Sequence, residues 1–559
     1  MTWTTRFLLD LQQGRLQPRF LLEDAESTSL IPGGHRLGGQ VRLSSHDVPG
    51  PYWPVISPER SGITHGQLTP GEWTRTQGSL RLGLALRTAV NPYDDYSKRV
   101  RSVLRRGMLV RLLVGFEGYA PADYQPVWLG VVKRLSWSQS GGWTLQCTEI
   151  VGGLTQRLTT LGSTATLFSG LTSTTLGADY TALDDPVTLT SGTGIEHATG
   201  ERTCLLVTPT TGAPFYLVGT LSGASLATIS EGYWNTTAVD AVTGDTVQEV
   251  AYTVGHPLQI ARRILTSTGI GGNGPDDTLP ERWGMAISAD LVDRADIEHF
   301  RSLLGSQAYS WDLRVTEEQP DGLRWLEDWL RAGGFFLSQH QGRITVRAIV
   351  DPTLATPTPI YLDDSRIGSI DGYETWDSDT PIEYATWRVT WGDQGTTQAP
   401  DPVEDPSGYA AWVAEYGDTI DGLPVLGTAS LSETDTASRP VLATREWEAP
   451  DVWRVDHTSA ASADAQVTAW ANDIPARLYQ WETRIAERLE VTCAGLHTAY
   501  ASIGDQAKVT IDPTILSSRF EGSIGDFDRR PGIILGGGPD WFRGVCQWSI
   551  GFVPPLDEG

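Results

Sequence analysis

Apolar and polar residues alternate over long stretches of this chain, and glycines separate the stretches. In residues 143–148, Trp143, Leu145 and Cys147 alternate with polar neighbours, which is the period of two that a half-buried β-strand shows. Residues 107–117 and 126–137 repeat the alternation, with glycines at the turns between them. The pattern predicts an antiparallel meander that forms part of a small β-barrel.

Two other kinds of segment follow this meander. Residues 160–250 are rich in Thr, Ser and Gly and carry short apolar runs without helix signals, so they predict an inserted all-β module. Residues 256–269, 294–305 and 322–334 instead place apolar residues three and four apart, as amphipathic helices do. Two apolar stretches around Gly342 then predict a hairpin, and residues 251–350 are predicted to form an α+β unit.

The end of the chain repeats the layout of its beginning. "GDQAKVTI", from Gly504, resembles "RGMLVRLLV", and "DWFRGVCQWSI" resembles "PVWLGVVKRLSW". We therefore predict two barrels of similar construction. The predicted fold class is mainly β with an α+β part, in four domains: a first barrel (1–156), an all-β insertion (157–250), the α+β domain (251–350) and a second barrel (351–559) with a long excursion at 395–440 and a helix at 463–482.

The charge of the chain limits what it can bind. Its formal net charge is -26 over 559 residues, which argues against wrapping nucleic acid. One basic cluster departs from this balance, formed by Lys98, Arg99, Arg101, Arg105 and Arg106. The cluster fits docking onto an acidic partner or a neighbouring subunit, and it equally fits a solvated loop or an edge strand protected by charge. No apolar run is long enough to span a bilayer, so we predict no membrane segment.

One stretch looks like a nucleotide-binding motif. "GIGGNG" (269–274) matches Gly-x-Gly-x-x-Gly, but a dinucleotide site needs a strand before the glycines and a helix after them. Here a helix precedes them, and Pro275, Asp276 and Asp277 follow. A helix C-cap that leads into a loop is the better interpretation.

The rest of the chain shows no motif of catalysis or metal binding. The four cysteines are far apart and lie in apolar runs, and the nine histidines have no metal-site spacing. A Cys–His peptidase pair or a pair of glycosidase carboxylates stays open, although no residues are singled out. We predict no catalytic, cofactor-binding or metal-binding residue, no cofactor and no enzymatic activity.

The order of these elements resembles the hub proteins at the tail tip or baseplate of tailed bacteriophages and of phage-derived particles such as gene transfer agents. Residues 106–150 resemble the first hub barrel, and residues 504–552 resemble the family's closing strands. Residues 256–300 share a His-Pro-led helix, a Gly-rich loop and a Leu-Pro-x-x-Trp-Gly turn before Leu-Val-Asp. Residues 217–247 resemble a small β-module of phage tail proteins, with departures at Glu231 and at Asp240-Ala241.

The resemblance implies a homotrimer in the virion, at the tail tip or baseplate. Two similar barrels per chain would build a ring that adapts the sixfold tail tube to a threefold tip, lines or closes the DNA channel, and opens for DNA ejection. The implied partners are a distal tail protein or the tail tube above and a tip or fibre protein below, with a tape measure protein as a further candidate. DNA would pass without specific binding. The alternatives are a tail-associated cell-wall hydrolase, seated at 160–250 or 395–440, and a carbohydrate-binding tail protein that uses 160–250.

Overall fold

The fold is mainly β, with a few helices and several curled sheets. The computed structural model describes residues 3–13, 17–25, 42–47, 52–69, 74–86, 104–140, 142–150, 159–160, 172–182, 184–195, 202–231, 236, 238–266, 283–285, 287–304, 311–315, 321–331, 333–352, 359–376, 382–390, 406–407, 419–420, 423–432, 443–448, 486–516 and 527–552. The predicted helix at 463–482 and the "GIGGNG" stretch lie outside these residues.

The first part of the chain forms an eight-stranded sheet, here called the N-terminal sheet. A helix that the sequence analysis missed comes first, α1 (Thr5–Gln12), and the Thr4 side chain caps it by accepting from the Phe7 N–H. The strands that follow are β1 (Arg19–Asp24), β2 (Arg42–Ser44), β3 (Trp53–Pro54), β4 (Ile56–Thr64), β5 (Leu68–Thr69), β6 (Thr74–Arg75), β7 (Ser79–Leu84), β8 (Leu109–Gly115), β9 (Gln125–Ser138) and β10 (Gly142–Glu149). The sheet order is β3-β2-β1-β8-β9-β10-β7-β4, with β5 paired to β6 beside it.

The insertion is a six-stranded barrel, here called the central barrel. Its strands are β12 (Ser173–Thr175), β13 (Val187–Thr188), β14 (Arg202–Thr208), β15 (Phe215–Ser222), β16 (Ser225–Ser230) and β17 (Thr246–Glu249), after a short β11 (Thr159–Thr160) that pairs elsewhere. Their order is β12-β17-β14-β15-β16-β13. The Thr190 N–H donates to the Thr175 carbonyl and Leu176 bridges Leu189, so the two outer strands are also joined.

Three helices and a hairpin form the α+β unit, as the spacing of apolar residues predicts. Its elements are β18 (Ala251–Gly255), α2 (Pro257–Thr266), β19 (Trp283–Gly284), α3 (Arg294–Leu303), β20 (Trp311–Val315), α4 (Gly322–Arg331), β21 (Phe335–His340) and β22 (Arg343–Ala348). The apolar faces of the helices are buried in one cluster with β21 and β22. The Gln341-Gly342 turn has positive φ at both residues, which suits a two-residue hairpin.

The last part of the chain forms two more sheets. Its strands are β23 (Ile360–Leu362), β24 (Ile367–Trp376), β25 (Ile382–Thr390), β26 (Thr419–Ile420), β27 (Leu423–Ser432), β28 (Ala443–Glu448), β29 (Ala486–Cys493), β30 (Gln506–Val509), β31 (Arg530–Asp540) and β32 (Val545–Phe552). The order β23-β30-β31-β32-β29-β24 defines the C-terminal sheet, and β26-β27-β25-β28 is a separate sheet. The predicted excursion at 395–440 therefore contains β26 and β27, and β27 pairs with β25.

The N-terminal and C-terminal sheets share one strand order. Six strands of the N-terminal sheet match the six strands of the C-terminal sheet. In chain order, the six of the N-terminal sheet are β1, β4, β7, β8, β9 and β10, and their counterparts are β23, β24, β29, β30, β31 and β32. In both sheets the spatial order is first, fourth, fifth, sixth, third and second. Among these six strands the sheets differ at one pairing, because β1 runs antiparallel to β8 whereas β23 runs parallel to β30. The N-terminal sheet also has two further strands, β2 and β3, beyond β1.

The match extends to single residues around one turn. Gly107 precedes β8 by two residues with φ of 87°, and Gly504 precedes β30 by two residues with φ of 94°. The Gly107 N–H donates to the Val132 carbonyl, and the Gly504 N–H donates to the Ile534 carbonyl, both at 2.8 Å. Each glycine is the third residue of a four-residue turn, closed by a hydrogen bond from the N–H of 108 to the carbonyl of 105 and from the N–H of 505 to the carbonyl of 502.

A shared bulge fixes the register of the two long strands. The pairing of β9 with β10 skips residue 133, and the pairing of β31 with β32 skips residue 535. With Val132 equivalent to Ile534, both bulges fall at the same place. The echo between "RGMLVRLLV" and "GDQAKVTI" therefore marks equivalent strands. The second echo is out of register, because Gly130 lies inside β9 whereas Gly544 lies in the turn between β31 and β32.

Candidate functional site

The two matching sheets meet where the chain leaves β4. Residue Gln67 forms an antiparallel bridge with Gly536 of β31, and the Gly537 N–H donates to the Gly66 carbonyl at 3.4 Å. The His65 Nε2 lies 3.0 Å from the Pro539 carbonyl oxygen. Because β32 already pairs with one edge of β31, residues 65–67 occupy its other edge, beyond the start of β30.

A run of three glycines in β31 permits this approach. A methyl group on Gly538 would lie 2.5 Å from the His65 Nδ1, and one on Gly536 would lie 2.9 Å from the Gln67 Cγ. Both distances are shorter than any normal carbon contact, so a side chain at either position would push the sheets apart.

Aromatic residues of α1, of the segment before it and of β1 pack against the same junction. Trp3 and Phe7 pack on Trp541 with ring centroids 5.9 and 6.1 Å apart, and Phe20 packs on Phe542 at 4.3 Å. One continuous buried cluster therefore includes residues of both sheets. Burial of large aromatic side chains is the strongest apolar contribution available to such a contact, so α1 fastens the first sheet to the second.

A cavity of about 50 Å³ remains at the centre of the junction. It has room for about three or four water molecules. Glu149 faces it with a buried ion pair, accepting from the Arg75 Nη2 at 2.6 and 2.7 Å and from the Gly78 N–H at 3.0 Å. Burial lowers the pKa of His65 at the same cavity, so its ring is neutral at pH 7. The cavity is suited to bound water and is small for a substrate.

A fully buried arginine joins the α+β unit to the C-terminal sheet. The Arg347 guanidinium donates from Nε and Nη2 to the two carboxylate oxygens of Asp296, at 2.8 Å each. Its Nη1 donates to the Ile503 carbonyl at 2.8 Å and lies 3.1 Å from the Asp505 Oδ2. The bidentate geometry is the strong arrangement for a guanidinium and a carboxylate, and it fixes β22 against the turn that precedes β30.

A contact between a histidine and an aspartate lies beside the Arg347 network. The His340 Nδ1 lies 2.9 Å from the Asp293 Oδ2. Burial disfavours ionisation of both aspartates, but Arg347 and His340 outweigh burial and hold the pKa of Asp296 below its usual range. The His340 hydrogen bond does the same for the pKa of Asp293. Asp296 and Asp505 in turn raise the pKa of Arg347, against the effect of its burial.

The cysteines do not have the environment of nucleophiles. All four are buried and none forms a disulfide bond. Burial raises the pKa of the Cys147 and Cys546 thiols, and it raises the pKa of Cys493 to about 11. A thiol needs a lowered pKa to react at neutral pH. These sites therefore give no support to the Cys–His interpretation.

The predicted docking cluster is only partly described. Lys98, Arg99 and Arg101 lie outside the described residues, whereas Arg105 and Arg106 are exposed in the turn before β8. Within the described residues no group of three or more His, Cys, Asp or Glu side chains is arranged to hold a metal ion. No helix in the same residues is long and apolar enough to cross a membrane.

The Gly-Asp-x-Val motif of the insertion has a structural role in the central barrel. The Asp245 carboxylate accepts from the Val242 N–H at 2.8 Å and from the Thr210 N–H at 3.0 Å. These hydrogen bonds tie the turn before β17 to the end of β14. Glu231, one of the departures from the pattern, hydrogen-bonds the Tyr180 hydroxyl.

Comparison with known proteins places the chain beside two solved structures. It is similar to a prophage tail protein from Listeria monocytogenes EGD-e, with 7% identity, a TM-score of 0.37, and coverage of 97% of this chain and 95% of that chain. It is also similar to a chain in the virion of a native gene transfer agent particle, with 17% identity, a TM-score of 0.18, and coverage of 43% and 83%. No protein-family model and no curated protein sequence matches.

Proposed function

We propose that this chain is the structural hub of a phage-type tail tip or baseplate. Three copies form a ring that adapts the sixfold tail tube to a threefold tip and lines or closes the DNA channel. The distal tail protein or tail tube lies above the ring and the tip or fibre protein below it. The chain catalyses no reaction in this role.

The duplicated sheet is the observation that carries the proposal. One chain holds two sheets of the same strand order side by side, so three chains would present six similar sheets around one axis. Closed rings of identical chains form when one surface of a subunit binds a different surface of the next. The hub-like motifs at 106–150, 256–300 and 504–552 support the same role independently.

The construction of the junction supports a mechanical rather than a catalytic role. The glycine run of β31, the aromatic contacts of α1 and the buried Arg347 fix the sheets and the α+β unit to one another. A ring that transmits the movement of a tip needs such fixed units. The strong net negative charge suits a channel through which DNA passes without binding.

Native mass spectrometry of the purified chain tests the proposal together with electron microscopy of the tail. We expect a species of three chains, and antibody labelling at the distal end of the tube. A chain that stays monomeric at every concentration and is absent from the tail end would refute the hub role.

A further inference from the structure

Within the described residues, one of two equivalent contacts between the matching sheets is made inside the chain. Residues 64–67, at the end of β4, lie along the edge of β31 beyond the start of β30. The end of β24 corresponds to the end of β4. This follows from the strand register, because Gly62 of β4 and Gly372 of β24 lie opposite equivalent residues of β7 and β29. The corresponding surface is the edge of β9 beyond Val132. No strand in the described part of the chain pairs with that edge.

That edge of β9 carries a basic and aromatic surface. Arg105 and Arg106 are exposed in the turn beside it, and Lys133 and Arg134 are exposed on the strand. Trp137 is 51% exposed. A basic surface is unusual in a chain with a net charge of -26, and an exposed tryptophan next to arginines is the composition of a binding hot spot.

The equivalent residues of the C-terminal sheet are covered. Ile503 corresponds to Arg106, and it is 3% exposed. Leu535 corresponds to Lys133, and it is 1% exposed. Both belong to the core cluster that the C-terminal sheet shares with the α+β unit, so these positions are apolar where they are covered within the chain. Their exposed polar equivalents, Arg106 and Lys133, lie on a surface that no strand of the described residues covers.

The end of β24 has the opposite charge. In the strand register, Glu374 lies opposite Arg488 of β29, and Thr64 lies opposite Ser79 of β7. Arg488 and Ser79 are equivalent residues of the two sheets, so Glu374 occupies the position of Thr64. Thr64 lines the junction cavity together with residues 502 and 503, which are the equivalents of Arg105 and Arg106. The Glu374 side chain is 62% exposed, and Asp371 on the same strand is exposed as well.

We propose that the end of β24 of one copy docks against the Arg105–Arg106 turn and the β9 edge of a second copy of this chain. Glu374 then faces Arg106, with Trp137 at the centre of the contact. The inference rests on the proposed function and assigns the residues that close its ring. Residues 134–136 are Arg-Leu-Ser and not glycines, so this contact is made through side chains, whereas the contact inside the chain is made through backbone.

Charge reversal in the full-length chain tests this interface. The variants are Arg106→Glu, Glu374→Arg and the double swap, with Arg324→Glu on the exposed face of α4 as the control. Sedimentation velocity over a concentration series gives the midpoint of self-association for each. Like charges face each other in either single variant, so we expect the midpoint to rise by at least about tenfold. The double swap should restore it, and Arg324→Glu should leave it unchanged.

The outcomes separate the interface from the hub role. If the wild-type chain associates and both single reversals leave the midpoint unchanged, the interface is wrong while the hub role stands. A wild-type chain that never associates overturns both. Glu374→Gln, which removes the charge without adding one beside Arg488, should give a smaller rise than Glu374→Arg. Circular dichroism and the melting temperature show that each variant is folded.

Discussion

Replacement of Arg347 by Met should loosen the joint between the α+β unit and the C-terminal sheet. The substitution keeps most of the side-chain volume but removes the guanidinium charge that pairs with Asp296 and Asp505, whose side chains are 1% and 0% exposed. Breaking a buried ion pair by removing one partner costs about 3–5 kcal/mol, because a charge stays buried without compensation. The opening equilibrium of this joint should therefore increase by roughly 150- to 4,000-fold.

Amide hydrogen exchange measured by mass spectrometry reports this opening locally. We expect the loss of protection in peptides that cover β22 and residues 500–510, with much less change in the central barrel. Arg331→Met is the control, because Arg331 pairs with Asp328 at 2.8 Å on the surface, with side chains 33% and 53% exposed. A surface pair contributes about 0–1 kcal/mol.

A further variant distinguishes charge burial from loss of packing. Asp296→Asn and Asp505→Asn, added to Arg347→Met, remove the uncompensated charges and should recover most of the protection. If Arg347→Met changes exchange no more than Arg331→Met does, the buried network does not hold the joint and the reasoning is refuted.

Three more predictions concern the junction and the thiols. Gly538→Ala should destabilise the contact between the sheets by about 1–3 kcal/mol and lower the melting temperature. Gly62→Ala is the control, with nothing within 4 Å of the added methyl, and should change the melting temperature far less. Equal changes in melting temperature for the two variants would contradict the close-approach argument. Burial lowers the folded-state pKa of His65 below 6.5, so the unfolded chain binds more protons as pH falls below 6.5; protection of β31 should decrease between pH 7 and pH 5, and less so in His65→Gln. A thiol reagent at pH 8 should label none of the four cysteines before unfolding; rapid labelling of the native chain would show that they are accessible.

Local sequence patterns sufficed for much of the secondary structure. The hairpin around Gly342 and the helices α2, α3 and α4 lie where the apolar spacing predicts them, because each signal is contained in ten to fifteen neighbouring residues. The exception is α1, for which the signals were present: Thr4 is a capping residue, and Phe7 and Leu11 share one face.

The junction could not be predicted in the same way. Its partners, Arg347 with Asp296 and Asp505, or His65 with Pro539, are separated by tens to hundreds of residues in the chain. No periodicity links such positions, and an arginine that will be buried looks like any other arginine. The glycine run at 536–538 was visible, but the position of residues 65–67 against β31 is what explains the absence of side chains at Gly536 and Gly538, whereas at Gly537 an added methyl would meet Gln547 of β32.

The duplication of the sheets was only partly visible in the sequence, for a related physical reason. Its shared features are backbone features: a positive-φ glycine, a turn and a bulge. Side chains at equivalent positions of the two sheets have different surroundings. Lys133 is exposed, whereas its equivalent Leu535 is buried against the α+β unit. Divergence is greatest where one copy of the sheet is covered within the chain and the other is not. A comparison of residue identities between the two sheets therefore underestimates their similarity most at the positions where the sheets have different contacts.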